Sequence, residues 1–181
     1  MPVLLERRSL GGTRDPALRA VATTQHATIQ AALAHIPEKG IEAAEGNAWR
    51  CQLEAGGVYH EDVQLPACGE LEICGDQTQP AAAQIIGSLE LTARLVSGAA
   101  NGRQPHQPPQ LTIKWVQLHS QGRPAVCVQG GGQLHLVGVH IRRVGVLTES
   151  SGALVVRGRG SRCSLSAARV ESTGSTTLVL W

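Results

Sequence analysis

The sequence predicts an all-β fold, a parallel β-helix preceded by an α-helix, on three observations. Two types of short strand alternate, turns rich in glycine separate them, and one apolar spacing recurs in three segments. A short repeat of this kind without helices is typical of a solenoid, in which successive coils stack and share an apolar interior. The recurring positions are Leu111, Ile113, Val116 and Leu118, then Leu134, Leu136, Val139 and Ile141 at one constant offset, then Cys163, Leu165, Ala168 and Val170 at a second, slightly longer one.

A jelly roll or a β-sandwich also consists of short strands and is the alternative architecture. The repeated spacing and the scarcity of hairpin dipeptides favour the parallel β-helix. Because side chains alternate between the two faces of a strand, the polar residues between the recurring apolar ones should point outwards. These outward residues are Thr112, Lys114, His135, His140, Ser164 and Arg169.

The N-terminal part is predicted to be an arm followed by a helix. Residues 1–14 lack periodicity and contain Arg7-Arg8 and Gly11-Gly12, which is typical of an arm. Asp15-Pro16 then combines an N-cap residue with proline at the first helical position, a signal for a helix start. Apolar residues at helical spacing between Ile29 and Ile36 give this helix one apolar face. Residues 15–40 are therefore predicted as a capping helix region.

Alternating apolar residues begin at position 51, so residues 41–181 are predicted to form the β-helix itself. Segment 97–110 has two alanines as its sole hydrophobic residues and is predicted to be an irregular excursion. The charge is polarised along the chain, with −6 in residues 1–90 and +8 in residues 91–181. This polarity suits contacts between acidic and basic surfaces.

Composition places the chain among folded proteins without a membrane span. It has 181 residues, of which 42% are hydrophobic and 17% charged, and this excludes an intrinsically disordered class. No apolar stretch approaches the roughly 20 residues of a membrane helix, and the N-terminus has no signal-peptide core. We expect an intracellular, non-secreted protein. The five cysteines form no pair at zinc or redox spacing and are expected to be buried free thiols.

Three segments near the N-terminus carry a family resemblance. They are residues 27–33 (ATIQAAL), 57–63 (GVYHEDV) and 71–76 (LEICGD). In order and spacing they resemble the N-terminal part of the pectin lyase-like right-handed β-helix superfamily, in particular its pectin methylesterase branch. The resemblance implies a single-stranded right-handed parallel β-helix of about six coils, with the N-terminal α-helix covering one end.

The same resemblance does not extend to catalysis. Pectin methylesterases use two aspartates, an arginine and glutamines on one outer face, whereas no aspartate follows Asp76 here. Their Asp-Phe motif is absent because the chain has no Phe, and Pro124 stands where their first catalytic glutamine would be. The later coils offer Glu149 and Glu171 as their sole acids, too few for a calcium site of the pectate lyase kind. No catalytic residue, metal site or cofactor is predicted.

Two histidine-containing sets are weighed as sites. His60-Glu61-Asp62 is the densest ionisable cluster, but consecutive residues on a turn diverge, so an architectural role is favoured. His119, His135 and His140 could bind a metal if stacked coils joined them. The repeat instead places His135 opposite Thr112 and His140 opposite Gln117, which favours a solvated outer face.

An arginine-rich segment is the candidate site for a polyanion or an acidic partner. Guanidinium groups suit carboxylates and phosphates, and six of them occur between positions 142 and 169. Aromatic residues for base stacking are scarce, which disfavours nucleic acid. The alternative is a solvated arginine-rich face without a ligand. The candidates are Arg142, Arg143, Arg157, Arg159, Arg162 and Arg169.

The C-terminal segment 177–181 is apolar and strand-like, and it lacks the polar cap that solenoid ends need. Leu178, Leu180 and Trp181 are therefore the candidate assembly surface. We expect a non-catalytic structural or interaction module, a subunit of a virion, phage appendage or cytoskeletal complex, that contacts other proteins or itself through this end. The alternatives are a glycan-binding or carbohydrate-active relic of a pectinesterase and, more weakly, a polyanion binder.

Overall fold

The computed structural model describes residues 1–9, 20–36, 47–66, 70–78, 82–92, 110–145, 152–173 and 178–180. Strands dominate these residues because alternating β-branched and aliphatic side chains fit a half-buried pleated surface. In chain order the elements are β1 (Val3–Ser9), β2 (Ala20–His26), α1 (Ile29–Leu33), β3 (Asn47–Leu53), β4 (Val58–His60), β5 (Val63–Leu65), β6 (Glu70–Cys74), β7 (Ala83–Ile86), β8 (Leu89–Thr92), β9 (Gln110–Lys114), β10 (Val116–Gln121), β11 (Val126–Gln129), β12 (Gln133–Val137), β13 (His140–Val144), β14 (Leu154–Arg157), β15 (Arg162–Ser166), β16 (Arg169–Thr173) and β17 (Leu178–Leu180).

The strands form three sheets, and from β3 onwards the chain visits them in turn. Sheet A has the order β15-β12-β9-β6-β3-β1-β2, sheet B the order β16-β13-β10-β7-β4, and sheet C the order β17-β14-β11-β8-β5. Sheets B and C are wholly parallel, whereas sheet A is mixed because β1 pairs antiparallel with both β2 and β3. Each strand from β6 onwards therefore lies beside the strand three places earlier in the chain.

The predicted fold class, a single-stranded right-handed parallel β-helix with a capping α-helix, is wrong. The described residues form three parallel or mixed sheets and contain almost no helix. The recurring apolar spacing identifies which residues lie opposite each other in neighbouring strands. The spacing does not specify how many sheets the strands form. It also gives no sign that β1 and β2 add antiparallel pairs to sheet A.

The register inferred from the repeat is confirmed. Leu134 lies opposite Leu111 and Leu136 opposite Ile113, and the next strand continues the row with Cys163 and Leu165. Residues in these rows point inwards and, before β15, are almost fully buried. A continuous apolar core therefore runs between the three sheets.

One residue with left-handed backbone lies at each of three corners between sheets A and B. Trp115 and Ala167 have φ of 54° and 50°, and Gly138, at the same corner one strand layer above Trp115, has φ of 60°. The corner amides continue the ladder, since Trp115 N donates to Val137 O at 3.0 Å and Gly138 N donates to Ser166 O at 2.9 Å. Left-handed backbone at these three corners turns the chain without breaking the stack.

The N-terminal predictions need two corrections. Residues 3–9, predicted as part of an arm, form β1, whose Val3 and Leu5 are buried in the core. Residues 20–26, within the predicted helix region, form β2, and the helix is limited to Ile29–Leu33. Pairing with β3 and β1 overrides the weak local preference in these segments. The helix signal at Asp15-Pro16 and most of the excursion 97–110 lie outside the described residues.

The helix α1 packs against β1, β2, β3 and β5 with Ile29, Ala32 and Leu33 buried. No helix among the described residues combines the length and the apolar content that crossing a membrane requires.

The architectural role favoured for the His60-Glu61-Asp62 cluster fits the contacts of its two acids. The Glu61 carboxylate accepts hydrogen bonds from Ile29 N at 2.8 Å and Gln30 N at 2.9 Å, at the first turn of α1. Asp62 Oδ1 accepts two hydrogen bonds from Ser88, both 2.9 Å, and Asp62 also pairs with Arg123. These bonds from Ser88, and then the Arg123 charge, hold the pKa of Asp62 below its usual value.

Removing the Glu61 carboxylate should destabilise the protein. In Glu61→Ala two amides at the start of α1 lose a charged acceptor, and we expect a loss of about 2 kcal/mol in the free energy of unfolding. Glu61→Gln keeps one acceptor oxygen and should lose about half as much. Urea denaturation followed by circular dichroism measures both. Equal stability of Glu61→Ala and the wild type would contradict this role.

Candidate functional site

The six candidate arginines do not form one patch. Arg142 and Arg169 point outwards from sheet B. Arg157 is the last residue of β14 in sheet C. Arg159 lies in the turn that follows, Arg162 is the first residue of β15 in sheet A, and both are exposed. Their closeness in sequence therefore does not become closeness on one surface. A single polyanion-binding patch made of all six is not formed.

The prediction for Arg143 is wrong in a further respect. Its side chain is 0% exposed, and its Nε donates a hydrogen bond to Arg123 O at 2.9 Å. Because successive residues of a strand face opposite sides, Arg142 points to solvent and Arg143 points inwards. In the strand register Arg143 lies between Ser120 of β10 and Ser172 of β16. The inward-facing row of sheet B is therefore polar at these three positions.

Polar side chains do converge on the outer face of sheet B, over β10, β13 and β16. The register places Gln117, His140 and Arg169 in one row across the three strands. His119, Arg142 and Glu171 form the adjacent row, two positions further along each strand. We call these six residues the outer grid.

Hydrogen bonds and ion pairs organise the outer grid around Glu171. Its carboxylate lies 3.3 Å from His140 Nε2 and also contacts the Arg169 guanidinium. The hydrogen bond to His140 and the charge of Arg169 lower the pKa of Glu171. His119 Nε2 lies 3.4 Å from Gln117 Oε1, and burial, followed by the charges of His140 and Arg142, lowers the pKa of His119.

The outer grid combines imidazole, guanidinium, amide and carboxylate groups. None of its six side chains carries a hydroxyl or thiol nucleophile. In the part of the chain that the structure describes, no three histidine, cysteine or acidic residues are placed to hold a metal ion. What remains is a set of imidazole, guanidinium and amide donors, which suit an anionic ligand.

Sequence reasoning identified Arg142 and Arg169 but did not join them to His119 and Glu171. The signal was present, because the offset that pairs His140 with Gln117 also pairs Arg142 with His119. The next offset along the chain pairs Glu171 with Arg142. A search for a ladder of identical histidines misses a mixed set in the same register.

A second surface lies at one end of the stack, where β15, β16 and β17 are the last strands of their sheets among the described residues. We call it the open end. Leu136 in β12 is 0% exposed, whereas Leu165, its register partner in β15, is 47% exposed. Val170 in β16 is likewise more exposed than Ile141 beside it in β13. Inward positions thus become accessible at these edge strands.

The predicted assembly residues fall partly within this end. Leu178 and Leu180 lie in β17, where their backbones pair with Leu154 and Val156 of β14. Their side chains, and the whole of Trp181, lie outside the described residues. The side chains that define the open end are therefore those of β15 and β16.

Among the described residues, Tyr59 and Trp115 do not line a common outward groove of the kind that binds glycans. Tyr59 is 4% exposed, and its hydroxyl donates to Pro2 O at 3.1 Å and accepts from Glu54 N at 3.0 Å. Trp115 occupies a corner against Gly138. Both side chains serve the packing of the stack.

The cysteines described by the structure are free thiols, as expected: Cys51 and Cys74 are buried, and Cys127 and Cys163 are partly buried. Burial raises the pKa of Cys51 to about 12 and that of Cys163 to about 11. Both thiols are therefore protonated at neutral pH and poor nucleophiles.

Among known proteins, no family model, no curated protein and no solved structure matches the chain. The resemblance to the pectin lyase-like superfamily stays a prediction that rests on its three segments. The outer grid and the open end are the candidate functional surfaces among the described residues.

Proposed function

We propose that this chain is a non-catalytic interaction module that joins a second copy of itself through the open end, as a subunit of a larger assembly. The observation that supports the proposal is the exposure of Leu165, at 47%, in a row whose preceding member is fully buried. An inward-facing aliphatic side chain of this kind is stabilised when another layer of strands covers it.

The backbone at the open end favours a partner in β conformation. In a parallel ladder alternate residues bond to opposite neighbours, and Arg169 N donates to Val139 O of the inner side. The N–H and C=O of Val170 therefore point away from β13, towards the open edge. Exposed strand edges with such groups pair readily with added strands.

The charges on β16 favour a second copy as the partner. If β16 pairs antiparallel with β16 of another copy about a two-fold axis at Val170, Arg169 of each copy lies opposite Glu171 of the other. Opposite charges at facing positions stabilise a strand pair, and the two-fold axis forms this pair twice. The strand is self-complementary, as an isologous interface requires.

Light scattering coupled to size-exclusion chromatography tests the proposal on the full chain. We expect a concentration-dependent species of twice the 19.0 kDa chain mass. Arg169→Glu and Glu171→Arg should each raise the dissociation constant about tenfold or more, because like charges then face each other twice. The double variant Arg169→Glu/Glu171→Arg should restore the dimer.

Gln84→Glu is the matched control, because it adds a charge to the same outer face of sheet B, on β7, three strands away from β16. It should leave the dimer unchanged. A wild-type chain that stays monomeric at every concentration would overturn the proposal. Single reversals that leave the dimer intact, or a double variant that fails to restore it, would equally overturn pairing through β16.

A further inference from the structure

We infer that the outer grid is a binding site for a tetrahedral oxyanion, a phosphate or sulfate group, and that its occupancy increases as His119 is protonated. The inference does not rest on self-association, because the donors it uses lie on β10 and β13 and not on the edge strand β16. The donors assigned to the oxyanion are His119, Arg142, His140 and Gln117.

The register places these four donors at neighbouring positions on β10 and β13. Gln117 and His119 are two positions apart on β10, and they lie opposite His140 and Arg142 of β13. Neighbouring parallel strands are about 5 Å apart, and alternate residues of a strand about 7 Å apart. Four side chains at the corners of such a rectangle can converge on a group the size of a phosphate, whose oxygens accept from several directions.

The outer grid carries more positive charge than its one carboxylate, Glu171, neutralises. Glu171 is engaged by His140 on one side and by Arg169 on the other. Arg142 lies opposite Glu171 in register, but it forms no ion pair with any carboxylate among the described residues. Burial lowers the pKa of His119, and the positive groups beside it lower that pKa further, as cations without a nearby anion do. A bound oxyanion would neutralise these groups.

No acid approaches the four donors from the remaining described strands of sheet B. On the other flank of β10, the outward residues of β7 are Gln84 and Ile86, both uncharged. Beyond them β4 contributes His60, which is exposed. Within the described part of sheet B, Glu171 of β16 is the single carboxylate beside the four donors.

Protonation then sets the sign of the pH dependence. The pKa of His119 lies below its usual value, so His119 is largely neutral at pH 7. An oxyanion beside the imidazole favours the protonated form and raises that pKa. By linkage the oxyanion binds more tightly as the pH falls through this range. Sulfate is a suitable probe because it stays a dianion between about pH 5 and about pH 8, where histidines titrate.

Titration of the full chain with sodium sulfate, followed by nuclear magnetic resonance of the imidazole protons, tests the inference. Sodium chloride at matched ionic strength removes general screening. We expect sulfate to raise the titration midpoint of His119 by about one pH unit and to bind about tenfold more tightly at about pH 5 than at about pH 8. Phosphate should act in the same way, and acetate, which is planar and singly charged, should act more weakly.

Two matched controls locate the site. His135 lies on the outer face of sheet A and contacts Ser164. Sulfate should therefore not shift the imidazole signal of His135 in the same spectra. Arg142→Gln should weaken sulfate binding severalfold, whereas Arg162→Gln, which removes an exposed arginine of sheet A, should not. Equal responses of His119 and His135, no response of His119, or unchanged binding in Arg142→Gln would overturn the inference.

Discussion

Replacing Gly87 with alanine is expected to destabilise the protein by about 3 kcal/mol or more. Gly87 forms the corner between β7 and β8 with φ of +156°, a conformation that L side chains rarely adopt. A Cβ there would lie 2.1 Å from Glu61 O, a backbone atom that cannot rotate away. Gly87 N also donates to His119 O at 2.8 Å, so moving the corner disrupts the next strand layer.

Gly122→Ala is the matched control for Gly87→Ala. Gly122 makes the equivalent corner one layer later, with φ of +67°, but a Cβ there would meet nothing within 4 Å. The substitution therefore adds the left-handed backbone penalty alone, about 1 kcal/mol. Urea denaturation of both variants separates steric overlap from backbone strain. Equal losses in the two variants would show that the Glu61 carbonyl is not the obstacle.

Truncating Leu136 to alanine should lower the free energy of unfolding by about 2 to 5 kcal/mol. Leu136 is 0% exposed in β12, between Ile113 of β9 and Leu165 of β15. Its removal leaves a cavity that neighbours on both sides of the row cannot fill, because each is held by its own strand pairing.

Leu165→Ala is the control within the same row. At 47% exposure Leu165 contributes less buried area, and we expect a loss below about 1 kcal/mol for the monomer. Denaturation at low protein concentration measures both variants without the dimer. A loss as large as that of Leu136→Ala would contradict the open end, since it would mean that Leu165 is covered in the single chain.

Much of the strand register followed from the sequence, and the sheet arrangement did not. The spacing from Leu111 to Leu134 reports which residues share a row, since a one-residue slip would turn every apolar side chain outwards. The pairing of β1 with β3 depends on contacts between residues far apart in the chain. No local pattern around Val3 or Leu5 distinguishes such a strand from an arm.

The candidate site was predictable in part for the same reason. Arg142 and Arg143 are adjacent in sequence, so composition groups them, but strand alternation sends one to solvent and the other to the core. His119, Arg142 and Glu171 are far apart in sequence, so composition separates them, but the register joins them. Row membership, rather than closeness in sequence, identifies the residues that can act together.

The pairing of strands three places apart in the chain determines how the molecule unfolds. Among the described residues from β3 onwards, strand pairing joins neighbouring layers, and cooperativity passes along the stack from one layer to the next. Opening of β15, β16 and β17 removes one layer and leaves the earlier pairings intact. The free energy of local opening therefore rises with distance from this edge, and proteolytic cleavage should begin there. A second copy on the same edge would protect the whole stack from progressive unravelling.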